Sequence, residues 1–315
     1  MVISLFESFQ DSSIYTVLSI SVNMFLRLWY LLALGIVLGS LISVYMPRRK
    51  LSSLARESGF KAILIASALG VVSPLGSYAV IPIFTAMLAA GLPKAPMMTF
   101  LVSSPLIDPV IFILTWTVIS PSMAFARLAS AIILGILCGV TVEYLTNKRF
   151  VLGEPLQAAP ANPNSKESLE LSTLPVEDAN SENKLREAVT LMWRSAKYPG
   201  RYFPIAIVLA ALVATYVPRD AIVRYMGTGH ASIFIASAMG IPLYMCGGGA
   251  IPLVAQFLHM GMDKGAALAF LVVGPATRIA PMVTVFSLVR KRIFLVYFLV
   301  ALLGGMGVGF LYGML

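Results

Sequence analysis

Two ionisable residues stand inside apolar sequence, and each follows a proline by three positions: Asp108 after Pro105 and Arg278 after Pro275. Charged side chains inside a membrane span are costly, so they pair with one another or line a pathway. A carboxylate beside a fixed guanidinium stays ionised, and a substrate or a proton can compete for that pair. Asp108 and Arg278 are therefore the candidate coupling switch, with a static structural ion pair as the alternative. The second candidate is a pair of turns. One is Ser73-Pro74-Leu75-Gly76-Ser77-Tyr78; the other runs through Cys246-Gly247-Gly248-Gly249. Three glycines in a row hold a helix poorly. Unwound backbone at membrane depth survives only where it is buried in protein or lines a wet cavity. Its free N–H groups and the adjoining helix N-terminus favour an anionic or polar ligand. Ser73, Pro74, Gly76, Ser77, Tyr78, Cys246, Gly247, Gly248 and Gly249 are the candidate substrate-binding residues; a tight turn at the membrane surface is the alternative. The Cys246 thiol suits a soft, thiophilic atom, or it is a small apolar filler.

Other chemistries find no constellation. His230 and His259 are far apart and lack a helical partner, so no zinc site is expected. Cys138 and Cys246 both lie in apolar sequence and do not make a disulfide framework. No phosphate-binding Gly-x-x-x-x-Gly-Lys motif and no nucleophile–base arrangement is legible. The expectation is a protein with no catalytic residues, no metal and no cofactor.

These residues must be held by helices in a bilayer. The chain of 315 residues is 58% hydrophobic and only 12% charged, with a mean hydropathy of +0.87; an ordinary soluble domain has about twice that share of charge. Residues 28–47, 62–93, 128–142 and 293–315 contain no Asp, Glu, Lys or Arg, and about 20 apolar residues cross the hydrocarbon. The net charge of +9 lies in clusters beside spans, such as Arg48-Arg49-Lys50 and Arg290-Lys291-Arg292. That is a topological signal, and nucleic acid is not an expected partner. The first residues lack the basic start of a cleaved signal.

The chain also repeats itself. At an offset of 170, Gly59–Pro105 aligns without a gap on Gly229–Pro275, with identities that include Ile63, Ala66, Ser67, Gly70, Ile81, Pro82, Phe100 and Pro105. Asp108 and Arg278 share a repeat position, as do Gly76 and Cys246. Gly135 and Gly139 recur as Gly305 and Gly309, a spacing that brings helix backbones close. Cys138 lies in that stripe and is expected only to pack. Duplicated apolar halves interrupted by Gly and Pro are the mark of a secondary transporter, with the site at the interruptions.

The expected order in each half is a span, a broken or re-entrant hairpin, an interrupted span and a final span. In the first half these fall at 24–46 (preceded by a segment lying at the interface), 62–90, 96–119 and 123–145. In the second they fall at 202–217, 232–260, 266–289 and 293–315. Residues 147–200, rich in Pro, Ser, Asn and Glu, read as a solvated linker, with an amphipathic surface helix near 181–198. The basic loop follows the first span in the first half but precedes the last span in the second. If basic loops face the cytoplasm, the halves are inverted and the linker is inside. The fold class is an all-α integral membrane protein of two inverted repeats, each with about three full spans plus a broken or re-entrant hairpin. Its domains are residues 1–146, the linker 147–200 and residues 201–315.

Four stretches resemble the ArsP-type permeases, a family of predicted permeases that includes organoarsenical efflux proteins: Val72-Ser-Pro-Leu-Gly-Ser-Tyr78 with Ile81-Pro82, Phe100–Pro109, Cys246–Pro252 and Gly274–Arg278. The resemblance covers most of the membrane part and not the linker. It implies efflux of trivalent organoarsenicals such as methylarsenite across the inner membrane, driven by an ion gradient. Related permeases often carry a cysteine pair in the first turn, where this chain has Leu75-Gly76-Ser77-Tyr78; Cys246 is then the only thiol near the turns. The expected partners are a small-molecule substrate and the bilayer. The oligomeric state is open, a homodimer included. A permease of the same fold for another small solute, such as a metal ion or sulfur compound, is the rival reading.

Overall fold

The computed structural model describes residues 13–45, 59–73, 93–147, 193, 204–205, 207–227, 229–241, 250–277, 282, 285–286, 289 and 291–315. Among them every regular element is a helix. In chain order these are α1 Ser13–Tyr45, α2 Phe60–Val72, α3 Lys94–Leu106, α4 Pro109–Val118 and α5 Pro121–Asn147. Then come α6 Ile207–Tyr216, α7 Arg219–Met226, α8 His230–Gly240, α9 Ala250–His259 and α10 Lys264–Ala276. The last is α11 Lys291–Gly313, which contains one π turn at Val300–Gly304. Three stretches among the described residues are long and apolar enough to cross a membrane: Lys94–Val118, Pro121–Thr146 and Lys291–Gly313. The first of them contains the α3–α4 break.

At the start of the chain, α1 is a single helix of 33 residues that takes in both the expected interfacial segment and nearly all of the expected span. It contains no proline or charge pair to interrupt it, so the backbone hydrogen bonds continue through.

The repeat is visible in the elements and in their packing. α8, α10 and α11 begin 170 residues after α2, α3 and α5. α2 and α8 each follow a glycine with positive φ, Gly59 at 117° and Gly229 at 132°. α3 lies between α2 and α5, and α10 lies between α8 and α11. The close approaches match residue by residue. A Cβ on Gly139 would strike the Thr99 hydroxyl and crowd the Ala95 carbonyl. On Gly309 it would lie 2.7 Å from both Ala269 Cβ and the Gly265 carbonyl, the equivalent positions. Gly135 faces Ser103, and Gly305 faces Val273. Gly70 meets the Phe100 carbonyl, and Gly240 meets that of Phe270. Lipid tails are as apolar as leucine, so helix association here rests on such close packing.

Repeat mates also touch each other. α3 contacts α10, and α5 contacts α11. Leu134 fills the space beside Gly304, its own counterpart. A residue that touches its counterpart lies where the two halves meet. α5 shows the two environments of such a helix. Arg127, Ala131, Leu134, Cys138 and Val142 form its buried stripe, while Phe125, Ile133, Leu137, Val140 and Tyr144 face outward, as an apolar lipid-facing surface would.

Candidate functional site

The best-defined candidate site is the break between α3 and α4, and the sequence explains why the helix stops there. Pro105 sits inside α3 and Pro109 occupies the first turn of α4. Each proline removes an N–H that the helix ladder needs. The residue before a proline is also forced toward extended backbone. Asp108, before Pro109, is extended accordingly at φ −136°, ψ 171°, and Ile107 beside it is extended too, at φ −153°, ψ 144°. The break leaves α3 with unused carbonyls and α4 with unused N–H groups, inside a segment apolar enough to span. Groups of that kind cost several kcal/mol if left unpaired in hydrocarbon.

Two charged side chains supply what the break lacks. Asp108 caps α4 by accepting the Ile111 N–H at 2.7 Å. Arg127, fully buried on α5, donates from Nε to the Leu106 carbonyl at 3.1 Å. Its NH1 donates to Thr115 Oγ1 at 3.2 Å, and that hydroxyl donates to the Ile111 carbonyl at 2.7 Å. Through Thr115 the guanidinium is linked to the Ile111 carbonyl, on the residue whose N–H Asp108 accepts, so both charges act on the same turn of α4. Electrostatically each charge meets its complement. The C-terminal end of α3 carries partial negative charge and receives Arg127, while the N-terminal end of α4 carries partial positive charge and receives Asp108. Along α2, α3 and α5, the hydroxyls of Ser67, Thr99, Ser103, Ser104 and Ser130 are buried. Ser67 and Ser103 lie 3.4 Å apart. Ser104 Oγ has no hydrogen-bond partner among the described residues.

The second half has a related feature in different chemistry. α10 also contains a proline, Pro275, and ends at Ala276. The Ala276 carbonyl accepts the Tyr297 hydroxyl at 2.7 Å. Ala276 is the counterpart of Leu106, and Tyr297 the counterpart of Arg127. The same carbonyl in each repeat is thus satisfied from the same position on the neighbouring helix, by a cation in one half and a neutral phenol in the other. In the second half the positions of Ser67 and Ser103 hold Ser237 and Val273, and the Ser237 hydroxyl has no partner among the described residues.

Of the candidate substrate-binding and switch residues, two are described. Asp108 is half-buried at the break. Ser73 is buried and ends α2, its N–H donating to the Leu69 carbonyl at 3.0 Å. Pro74, Gly76, Ser77, Tyr78, Cys246, Gly247, Gly248, Gly249 and Arg278 lie outside the described residues, as does the surface helix near 181–198 apart from Trp193. Among the described residues no three of His, Cys, Asp or Glu come together. Arg127 and Tyr297 were missed. The signal for Arg127 was available, since it is a lone charge seven residues into an apolar span and the reasoning applied to Asp108 applies to it equally. Nothing marks Tyr297 in the sequence until it is set beside Arg127 in the repeat.

The chain is 21% identical over 300 residues to the UPF0718 protein YcgR of Bacillus subtilis, covering 94% of this chain and 97% of that one. It is 22% identical over 283 residues to the UPF0718 protein MJ0584 of Methanocaldococcus jannaschii, covering 74% and 76%. A putative two-component membrane permease complex subunit of Streptococcus mutans matches over 142 residues at 23% identity, covering 44% and 47%. No solved structure matches. The ArsP_1 family, described as predicted permease, matches residues 13–314; over nearly its whole length, then, this chain belongs to the ArsP_1 predicted permease family and is a membrane protein.

Proposed function

We propose that the protein is a secondary-transport permease of the inner membrane that exports trivalent organoarsenicals by alternating access between two inverted repeats. The observation that carries the transport reading is the break at Ile107-Asp108, with the half-buried Asp108 capping one side and the buried Arg127 bonded to the other. Discontinuous helices near the bilayer midplane are where secondary transporters bind solute and coupling ion. The inverted arrangement is supported by basic loops that fall at opposite ends of the two halves. Counterpart residues that meet at Leu134 and Gly304 are consistent with it. Substrate binds between the two turns, with Cys246 meeting the arsenic atom and Ser73, Pro74, Gly76, Ser77, Tyr78 and Gly247–Gly249 shaping the cavity. Asp108 and Arg278 couple transport to a proton or ion gradient. Residues 147–200 form the cytoplasmic linker.

A second reading is a permease of the same fold for another small solute, such as a metal ion or sulfur compound. It is favoured by Leu75-Gly76-Ser77-Tyr78 in the first turn, where related permeases often have two cysteines. The deciding experiment is methylarsenite accumulation in everted membrane vesicles, with wild type and Cys246→Ser, with and without a proton gradient. Gradient-dependent uptake that the substitution abolishes supports both the substrate and the thiol contact. Uptake that survives the substitution removes Cys246 from the site. No uptake by wild type sinks the arsenical assignment and leaves the second reading.

A further inference from the structure

The reading above gives Arg127 no part, although a fully buried arginine in a span is a costly residue to keep. We propose that Arg127 is the positioning residue of the first helix break: it ties the end of α3 to α4 through Leu106 and Thr115 and is the standing counter-charge of Asp108, while Tyr297 holds the equivalent carbonyl in the second half.

Three observations converge on this. First, Arg127 joins three helices. It sits on α5, donates to the last residue of α3 and donates to Thr115 on α4. Removing it frees the Leu106 carbonyl and loosens the hydroxyl that Thr115 shares with Ile111. Second, the duplication repeats the bond and not the residue. Tyr297 donates to Ala276 as Arg127 donates to Leu106. The shared element is the bond to the break carbonyl, so that bond is what the position supplies. Third, the two repeat positions change together. Where position 108 is an acid, its partner position 127 is a base. Where the counterpart of 108 is already a base, Arg278, the counterpart of 127 is the neutral Tyr297. A second arginine there would add another cation to an apolar segment with no matching acid at either of the two positions. Tyr297 keeps the bond to the break carbonyl without adding that second cation.

The test combines a stability cycle with transport, and only its transport arm rests on the proposed function. Asp108→Asn removes the charge and keeps a side chain able to cap α4. In the purified full-length protein, Arg127→Met and Asp108→Asn should each lower the melting midpoint by about 5–10 °C, as expected when one partner of a buried pair is removed. The double variant should recover at least half of the loss. No recovery there, with recovery instead in Asp108→Asn/Arg278→Gln, would overturn the assignment, because Arg278 would then be the counter-charge. An unchanged midpoint in Arg127→Met would overturn it too. Arg127→Lys keeps the charge without the fork and serves if the methionine variant does not accumulate; it should melt between wild type and Asp108→Asn.

In everted vesicles with methylarsenite as probe, Arg127→Lys should lower the maximal rate and leave the half-saturating concentration within about twofold, since a positioning residue does not touch substrate. A half-saturating concentration that rises as far as the rate falls would make Arg127 a substrate contact and overturn the positioning role. If wild type takes up no methylarsenite, the substrate reading fails, and the melting cycle still decides the role of Arg127.

Discussion

The packing of α11 on α10 predicts opposite outcomes for two glycines only two residues apart. Gly309 is buried and Gly307 is exposed. A Cβ on Gly309 would sit 2.7 Å from Ala269 Cβ, 2.7 Å from the Gly265 carbonyl and 3.2 Å from the Ala269 N–H. Two of these three atoms are backbone, so no rotamer change relieves the clash. α11 must move off α10 until 2.7 Å becomes the 3.4 Å at which ordinary contact begins. Overpacking of this kind costs about 1–3 kcal/mol, and the upper part of that range applies where helix backbones must separate. Alanine regains up to about 1 kcal/mol of helix propensity, leaving Gly309→Ala destabilised by about 2 kcal/mol, or roughly 4–8 °C for a chain of this size. Nothing lies within 4 Å of a Cβ on Gly307. Gly307→Ala should therefore keep the wild-type midpoint or rise by about 2–4 °C. The assay is thermal unfolding of both variants in one detergent, followed by loss of the monodisperse peak in gel filtration. Equal midpoints for the two variants would refute the packing of α11 on α10 through Gly309.

Four further outcomes are expected. Tyr297→Phe removes the donor to the Ala276 carbonyl at 2.7 Å and should cost about 1–2 kcal/mol; a midpoint within 1 °C of wild type, about the error of the measurement, would show that the carbonyl is satisfied otherwise. Asp263 caps α10 by accepting the N–H groups of Gly265 and Ala266 at 2.7 and 3.1 Å, so Asp263→Ala should lose about 1 kcal/mol and Asp263→Asn much less, read by the same melts. Cys138 is fully buried, and a maleimide applied to native membranes should leave it unlabelled until detergent denaturation, as mass spectrometry of its peptide would report. Gly304→Ala pushes against Leu134, so adding Leu134→Ala should cancel part of its cost, with a coupling of about 1 kcal/mol in a double-mutant cycle; strict additivity would mean that these repeat mates do not meet.

The helix layout was legible because membrane helices announce themselves by composition and length. The offset of 170 residues placed the counterparts before any coordinates, and the starts of α8, α10 and α11 fall where that offset puts them. The prolines at 105 and 109 marked the α3–α4 break, since a missing N–H is a local property. Asp108 was legible for the same reason, being a charge where none is cheap. What sequence reasoning could not supply was the partner. The rule that buried charges pair does not say with which residue, and the symmetry of the repeat pointed to Arg278, whereas the described residues bring Arg127 to the break. Arg127 carried the same signal as Asp108, a charge in an apolar span, but composition alone does not say whether a long side chain near the end of a span turns inward or reaches the interface. Only tertiary packing turns it inward. The π turn at Val300–Gly304 was equally hidden, because its counterpart in α5 is regular helix.

The two halves keep their packing and exchange their polar chemistry, and that division is physically sensible for a duplicated permease. Steric fit constrains both halves alike. Gly70, Gly135 and Gly139 each lie against a neighbouring helix, and glycine stands at all three counterpart positions, 240, 305 and 309. A polar position is freer, provided the group facing it changes too. Ser103 has become Val273, and Ser237 has lost the partner that Ser67 keeps. Asp108 with Arg127 has become Arg278 with Tyr297. A transporter built from halves with identical charges at the axis would present the same field to a solute from both sides. The first half holds an acid and a base at its break, Asp108 and Arg127, and the matching positions of the second hold a base and a phenol, Arg278 and Tyr297, so the duplicated halves carry unlike charge at equivalent positions while their packing glycines are the same.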